Sequence, residues 1–488
     1  MSPTLRRRSV LEDHMVPRPR RLSETLFDRW DSALKTWGAP PAAFDTLHML
    51  EDPGTRVVIT GQQPGPWGGP LYTLYKAATV LALAGALREL QDAPVAAVFW
   101  MQSEDTDWGE VGWGALPQPD LRLYRHRFES VLPSRHWIGS ARITDPPDAQ
   151  ALHAEWKTGA WGRELLPRTE PYELASGFVR GLLSAFGDQG LLPLDGRWPE
   201  LRSEAGALWE RYVPRHKPLA QEVASRGRGQ APLDLEAASH GLFILDGEVR
   251  RQIDPSTWET DVARVLHEEP SRLAPSVLLR APLQDHLFGP VAHVVGATEA
   301  AYLEQLTPVY GALGIEEPLR VPRLGVTVLP KDLVLRADWE RALRDPEAVI
   351  AERAALETPP TAKVLLMETR QRLESTTERL LELLGDEQES KEGLNTMRKK
   401  IDLEFKRVEE TLDRRGRREL YRQDARWRHL AEFLRPRRGP QERGISGGML
   451  PWVFGDEAPA VLGQAARDHI ATWREGRSAP ILLEALRV

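Results

Sequence analysis

Two short stretches concentrate the polar residues best suited to chemistry. Gln62 and Gln63 sit side by side in the loop Gly61–Gly69 (GQQPGPWGG), which carries four glycines. Each amide can donate and accept hydrogen bonds, and the glycines let the backbone take positive φ and approach a ligand closely. The loop matches neither G-x-G-x-x-G nor G-x-x-x-x-G-K-[ST], so no standard nucleotide fingerprint is met. The second stretch, Glu104-Asp105-Thr106-Asp107, places three carboxylates within four residues. Such a group can hold an amine or a magnesium ion, or take a proton from an attacking nucleophile. Its plain alternative is a solvated loop that caps the next turn.

The surrounding elements decide whether these stretches meet. Val57–Thr60 is a short β-branched run of the kind buried strands use. Pro70 suits the first position of a helix, and Leu71, Leu74, Ala78, Leu81 and Ala82 follow at helical spacing. Strand, glycine loop and helix together aim free N–H groups and a helix dipole at whatever occupies the loop, usually an anion. Pro94–Met101 (PVAAVFWM) is a second apolar run, closing a βαβ unit, and the acidic stretch lies just beyond its end. Ligands of open parallel sheets bind beyond the carboxyl ends of the strands. Gln62, Gln63, Glu104 and Asp107 are therefore expected in one crevice. Glu299 joins them from a later unit with a strand at Val291–Val295, an N-cap at Thr298 and a helix over Glu299–Leu313. Between these units, residues 108–256 read as insertions, with a helix over Tyr172–Phe186, a strand at Gly190–Asp195 and a hairpin over His240–Ile253 that turns at Asp246-Gly247. The expected class is α/β, with a Rossmann-like parallel core over residues 1–333.

Composition changes after Lys331. Residues 334–436 are rich in Glu, Arg, Lys and Leu. Leu366, Leu373 and Leu380 are spaced by seven, as are Leu394, Ile401 and Val408, and Leu420, Trp427 and Leu434. Gly385–Gly393 separates the first two sets, so the segment reads as a helical coiled-coil hairpin able to form a homodimer. Residues 437–488 are expected to pack back on the core.

TGQQPGPWGGPLYTLYK followed by VFWMQSEDTDW resembles the bacillithiol-biosynthesis cysteine-adding enzymes, the cysteine ligases of low-molecular-weight thiol synthesis. Ser276–Arg280, Gln284-Asp285, the run VAHVVGATEAAYLEQLTPVYGALGI, Val321-Pro322-Arg323 and Gln441-Glu442-Arg443 carry the same resemblance, in order from about Val57 to the end of the chain. Two positions depart from the family pattern. Thr106 stands where the acidic motif usually has histidine, which puts any mechanism resting on that histidine in doubt. Gly296-Ala297-Thr298-Glu299 replaces Gly-Pro-Gly-Glu but keeps both ends of the turn.

The resemblance implies an amide-forming ligase that adds L-cysteine to the glucosamine nitrogen of glucosaminyl-malate. Amide formation from a free carboxylate requires activation, most simply by ATP with Mg2+, as an acyl-adenylate or acyl-phosphate. It implies a nucleotidyltransferase-like core, an analogy of fold that says little about chemistry. In this scheme Thr60, Gly61, Gln62, Gln63, Gly65 and Gly69 hold phosphate or the malate anion. Glu104, Asp105 and Asp107 serve the amine or a magnesium ion. Arg280 and Arg323 clamp carboxylates, since a guanidinium fork matches that group, and Gln284, Asp285, Gly296, Glu299 and Tyr302 complete the site. Two rival readings are a nucleotidyltransferase acting on another small acceptor and a non-catalytic coiled-coil dimer. The buried polar groups argue against the second, because such groups are costly to keep without a use.

Other signals exclude function classes. A chain of 488 residues without cysteine has no disulfide, thiolate metal site or cysteine nucleophile. His286 and His293 lack the spacing of a helical zinc site and H-E-x-x-H is absent, so no resident metal site is expected. Gly444-Ile445-Ser446-Gly447-Gly448 matches the hydrolase elbow G-x-S-x-G, but an Arg/Pro-rich loop rather than a strand precedes it. Arg414, Arg418, Arg422 and Arg426 form a helical stripe that reads as a solvated, acid-paired face. A net charge of −7 gives no global attraction to nucleic acid or anionic lipid. Arg6-Arg7-Arg8 and Arg18–Arg21 flank no apolar core, so no secretory signal is read, and no run approaches the ~18 apolar residues of a membrane helix. The expectation is a cytoplasmic enzyme.

Overall fold

The computed structural model describes residues 16–129, 132–153, 160–226, 241–330, 333, 339–384, 387–477 and 481–485. Arg6-Arg7-Arg8, His240, residues 334–338 and Gly385 lie outside them. The chain divides into two units, one of residues 1–116, 124–328 and 441–487, the other chiefly of residues 329–440 with 117–123.

The first unit is built on a five-stranded parallel sheet. Its strands are β1 (Arg56–Gln62), β2 (Val95–Met101), β3 (Leu191–Asp195), β4 (Ala292–Val295) and β5 (Leu319–Pro322), in the spatial order β5-β4-β1-β2-β3. This is the doubly wound order of Rossmann-like proteins, and it reverses between β1 and β4. β2, β3 and β4 are buried at every residue, which is why they read as continuous apolar runs rather than alternating ones. Helix α1 (Tyr72–Gln91) follows β1 and lies between the sheet and a helix over Ala458–Arg474. Covered on both sides, it buries Thr73, Lys76 and Thr79 along with its leucines.

Two sequence readings change. The strand expected at Gly190–Asp195 is the edge strand β3 of the core sheet, preceded by helix α2 (Leu174–Phe186), so the whole of residues 108–256 is not insertion. The helix expected over Glu299–Leu313 is two helices, α4 (Ala297–Gln305) and α5 (Thr307–Leu313), with Gly296 rather than Thr298 at the N-cap. Pro308 supplies no N–H, so the helix restarts at that point instead of continuing. Helix α3 (Val277–Phe288) precedes β4. The inserted hairpin, Leu242–Asp246 paired with Val249–Arg251, turns where expected, with Gly247 at φ +59°. Strand Leu273–Pro275 adds to it as a small antiparallel sheet.

The second unit is helical. After α6 (Pro346–Leu356), helices α7 (Pro360–Leu383) and α8 (Gln388–Gln423) run antiparallel, with Arg370 reaching both Asp402 and Glu409. Within one chain the seam is only partly covered. Thr377 and Phe405 are buried, whereas Leu373, Leu380 and Val408 remain exposed. The last heptad set does not lie on one helix, because α8 ends at Gln423 and α9 (Arg426–Leu434) begins anew after Asp424. In the arginine stripe, Arg422 is exposed and pairs with Glu419, whereas Arg426 lies at the start of the next helix, partly buried and paired with Asp424.

Candidate active site

A cleft of about 460 Å³ opens beyond the carboxyl ends of β1 and β4, where the strand order reverses. β1 delivers Gln62, the loop after it Gln63, and α1 contributes Tyr72 and Lys76. The end of β2 supplies Gln102 and Asp105, α3 supplies Ser276 and Arg280, and the β4 turn supplies Gly296 and Glu299. Of the residues the sequence singles out, Gln62, Gln63, Asp105, Arg280, Gly296, Glu299, Tyr302 and Arg323 therefore share one cavity.

Charged pairs organise its walls. Arg280 Nη1 donates to Asp105 Oδ2 at 3.1 Å and to Gln102 Oε1 at 3.2 Å, and its Nε lies 3.4 Å from Glu104 Oε1. Burial alone would push the Asp105 carboxyl up, but Arg280 and Arg250 outweigh it and hold the group at about 2. A carboxylate that acidic holds positive charge well and accepts protons poorly. Gln63 Nε2 donates to both Asp105 Oδ2 (3.1 Å) and Glu110 Oε2 (2.9 Å), tying the two acids of this wall together. Opposite, Lys76 Nζ donates to Glu299 Oε2 and to the Gly61 carbonyl, each at 2.7 Å, and to Gln62 Oε1 at 3.3 Å. Glu299 Oε2 also accepts from the Gly296 N–H at 3.1 Å, which fixes the start of α4. Burial opposes ionisation of Glu299, yet Lys76 and His293 hold its pKa below the usual range.

Several expected residues stand elsewhere. Glu104 is buried beneath the cleft, packed against Gly196, with both carboxylate oxygens making no hydrogen bond and its pKa raised by burial. Asp107 points outward, where its carboxylate caps the short helix Trp108–Val111 by accepting from the Glu110 N–H at 3.0 Å. Thr60 donates to the Val294 carbonyl inside the sheet. Gln284 and Asp285 form a buried pair below α5, where Tyr310 donates to Asp285 at 2.6 Å. Arg323 lines the cleft, but its fork is already filled by Glu442, at 2.9 and 2.5 Å, rather than free to clamp a carboxylate. Changing Asp107 to alanine should then lower stability by about 1 kcal/mol, the usual worth of an N-cap, and leave turnover unchanged. Melting temperature and product formation measured on one preparation check both halves, and a large loss of turnover would restore Asp107 to the chemistry.

The glycine loop departs most from its sequence reading. Gly61 to Gly69 are buried, and only Gln62 and Gln63 reach the cleft. The rest docks against Ile445–Gly448: Leu71 N–H donates to Ile445 O, Gly447 N–H to Gly69 O, and Gly448 N–H to Trp67 O, at 2.8–3.0 Å. Ser446 exchanges hydrogen bonds with the Ala115 backbone and is buried, so the G-x-S-x-G match is a packing element. Gly65 and Gly69 are glycines because backbone passes close to backbone. A Cβ on Gly65 would fall 2.9 Å from Gly69 Cα, and Gly69 has φ +65°.

Lys76, Glu110, Arg250, Glu442 and Arg443 belong to the site without having been assigned to it from sequence. Arg443 donates to Thr298 Oγ1 at 3.0 Å across the cleft. Among the described residues no group of three or more His, Cys, Asp or Glu could hold a metal ion. Mg2+ commonly needs only one or two protein carboxylates when it arrives with phosphates, and Asp105 and Glu110 are the acids at hand for that. No helix of the described residues is long and apolar enough to cross a membrane.

Comparison with known proteins agrees with this architecture. Residues 7–324 match the family model described as Bacillithiol biosynthesis BshC, N-terminal Rossmann-like domain. Similar curated proteins carry the name "Putative cysteine ligase BshC". One from Thermus thermophilus is 33% identical over 344 residues, 65% of this chain and 66% of that protein. Those of Natranaerobius thermophilus and Staphylococcus epidermidis are 29% and 27% identical, over 60% and 58% of this chain and 58% of each relative. The matched segment thus spans less than two thirds of each of these relatives. With the family model covering well over half of the chain, on a sheet of the expected order, this protein belongs to the bacillithiol-biosynthesis BshC family.

Proposed function

We propose that the cleft joins the carboxylate of L-cysteine to the amine of glucosaminyl-malate, forming the amide bond of bacillithiol. The observation that carries this reading is the charge layout of the cleft: Asp105 and Glu110 supply negative charge, and beside them Arg250 and Arg280 with the N-terminus of α3 supply positive charge. A substrate that is an ammonium at one end and a dicarboxylate at the other complements both. Asp105, held ionised, orients the ammonium by charge. Proton loss from the amine then goes to solvent or to an outer carboxylate such as Glu110, which lines the cleft and is exposed. ATP would supply the leaving group that a free carboxylate lacks. Arg250 and Arg443 are the lining cations without an ion pair among the described residues and so available to its phosphates, with Arg280 and Lys76 adding charge beside them; the buried glycine loop is engaged with backbone. The test is to incubate the protein with ATP, Mg2+, L-cysteine and glucosaminyl-malate and to follow bacillithiol by mass spectrometry. AMP as co-product indicates adenylation, and ADP a phosphorylated carboxylate. AMP transfer that is indifferent to cysteine would overturn the ligase reading in favour of a nucleotidyltransferase.

For assembly, we propose a homodimer through the second unit. Leu365, Met367, Leu373, Leu380, Leu403 and Val408 leave apolar surface exposed along α7 and α8, and such a surface on a hairpin is ordinarily covered by another chain. Light scattering at micromolar concentration should give twice the chain mass. Replacing Leu373 and Leu380 together with glutamate should give a folded monomer, and a wild-type monomer would refute the proposal.

A further inference from the structure

Arg250 stands out among the residues around the cleft. It is 5% exposed, and its Nε and Nη2 are buried without a hydrogen-bond partner. Its guanidinium lies 5.5 Å from the centre of the Phe243 ring, which fixes its plane without neutralising its charge. The nearby acids do not serve it directly. Asp105 is engaged by Arg280 and Gln63, and no ion pair within 4 Å joins Arg250 to Glu104 or Asp105 among the described residues. Two further guanidiniums crowd the same floor, Arg280 and Arg202, the latter donating, among the described residues, to the backbone carbonyls of Gly196, Arg197 and Ser271. Glu104 and Asp105 act on Arg250 only through space, and Glu200 and Asp195 do the same for Arg202, so none of these acids meets the Arg250 guanidinium. Buried guanidinium N–H groups left without a partner are strongly unfavourable, so Arg250 calls for an anion from outside. The N-terminus of α3 opens into the same space, with Ser276 and Val277 lining the cleft beside Arg250 and Arg280, and helix N-termini favour anions.

We propose that Arg250, with Arg280 and the first residues of α3, forms an oxyanion-binding subsite that anchors the substrate away from its reacting amine. The inference rests on the reading of this cleft as the substrate site. The oxyanion is either a carboxylate of the malyl group or a phosphate of the nucleotide, both of which match a guanidinium fork. In this assignment the subsite selects for an anionic aglycone and leaves the amine beside Asp105 and Glu110.

Arg250→Met and Arg250→Lys, in the full-length protein, test it. Because Arg250→Met deletes buried N–H groups that have no partner, it should melt at or above the wild-type temperature without ligand, whereas an arginine kept for structure would lower it. Calorimetric titration with L-malate, and separately with inorganic phosphate and ATP, identifies the source of the oxyanion. The matching ligand should bind the wild type and lose about 10- to 100-fold in affinity in Arg250→Met, as expected for loss of a charge-assisted contact, with partial recovery in Arg250→Lys. Loss confined to malate assigns the malyl carboxylate, and loss confined to phosphate and ATP assigns the nucleotide. Equal binding of every ligand by wild type and Arg250→Met, or no binding by the wild type, overturns the subsite. Arg250-dependent malate binding by a protein that makes no bacillithiol would leave the subsite standing and remove the ligase reading alone.

Discussion

Arg280→Leu should cost about 3–5 kcal/mol of folding stability, because it removes the guanidinium paired with both Asp105 and the fully buried Glu104. The proposed ligation should vanish with it. The effect depends on pH in a definite direction. The Asp105 carboxyl is held at about 2 against an ordinary 3.8: burial raises it, and Arg280 followed by Arg250 more than reverses that. A folded value below the unfolded one gives stability that is complete above about pH 4 and disappears as the pH falls toward 2, worth roughly 2 kcal/mol. Arg280→Leu should remove this part of the acid dependence as well. Chemical denaturation at pH 7 and pH 3 measures it: the gap between variant and wild type should be widest at pH 7 and narrow in acid. Arg280→Lys should fall between them, since an ammonium keeps the charge but loses the guanidinium plane whose Nη1 reaches Gln102 and Asp105 while Nε faces Glu104. A leucine variant as stable as wild type at pH 7 would mean that the three groups are not coupled as described.

Lys76→Met should be nearly as severe. Its ammonium is the buried partner of Glu299 and also satisfies the Gly61 carbonyl and Gln62 Oε1. Removing it leaves a buried carboxylate unpaired, again about 3–5 kcal/mol. The Glu299 pKa, now below the usual range through Lys76 and His293, should climb. Combining Lys76→Met with Glu299→Gln removes the stranded charge, so most of the stability should return while activity does not. Denaturant midpoints for both singles and the double give the coupling directly. A double variant no more stable than Lys76→Met would show that Lys76 acts on the fold by some route other than Glu299.

Much of the core was readable because parallel strands buried on both faces announce themselves as unbroken apolar runs, as at Val95–Met101. The Asp246-Gly247 turn likewise gave the hairpin. That same turn held a clue to Arg250. With Leu245 paired to Arg250 across the two strands, the side chains share a face, and an apolar Leu245 places that face inward. Lys76 offered no such clue, since a lysine on a helix ordinarily reaches water, and its partner Glu299 is 223 positions away. The Arg323–Glu442 fork is equally remote in sequence, 119 positions apart. The glycine loop was misread for a physical reason: small residues permit close approach by anything, and here the approaching group is the backbone of Ile445–Gly448 rather than a ligand. Asp107 could be either acid or cap by composition, and only the direction of its side chain separates the two.

The docking of Ile445–Gly448 onto the glycine loop also sets a timetable for synthesis. Ala115 and Ser446 are 331 positions apart, so at about 5–20 residues per second a ribosome needs on the order of 15 to 65 s to supply the second after the first. Until then the carbonyls of Trp67 and Gly69 have only water, and Arg323 lacks Glu442. The cleft is therefore completed last, by some of the latest residues to emerge, although the sheet beneath it can pair as soon as Pro322 is made. A nascent chain stalled before Gln441 would carry the sheet and most of the cleft lining, but not Arg443 or the Glu442 that holds Arg323.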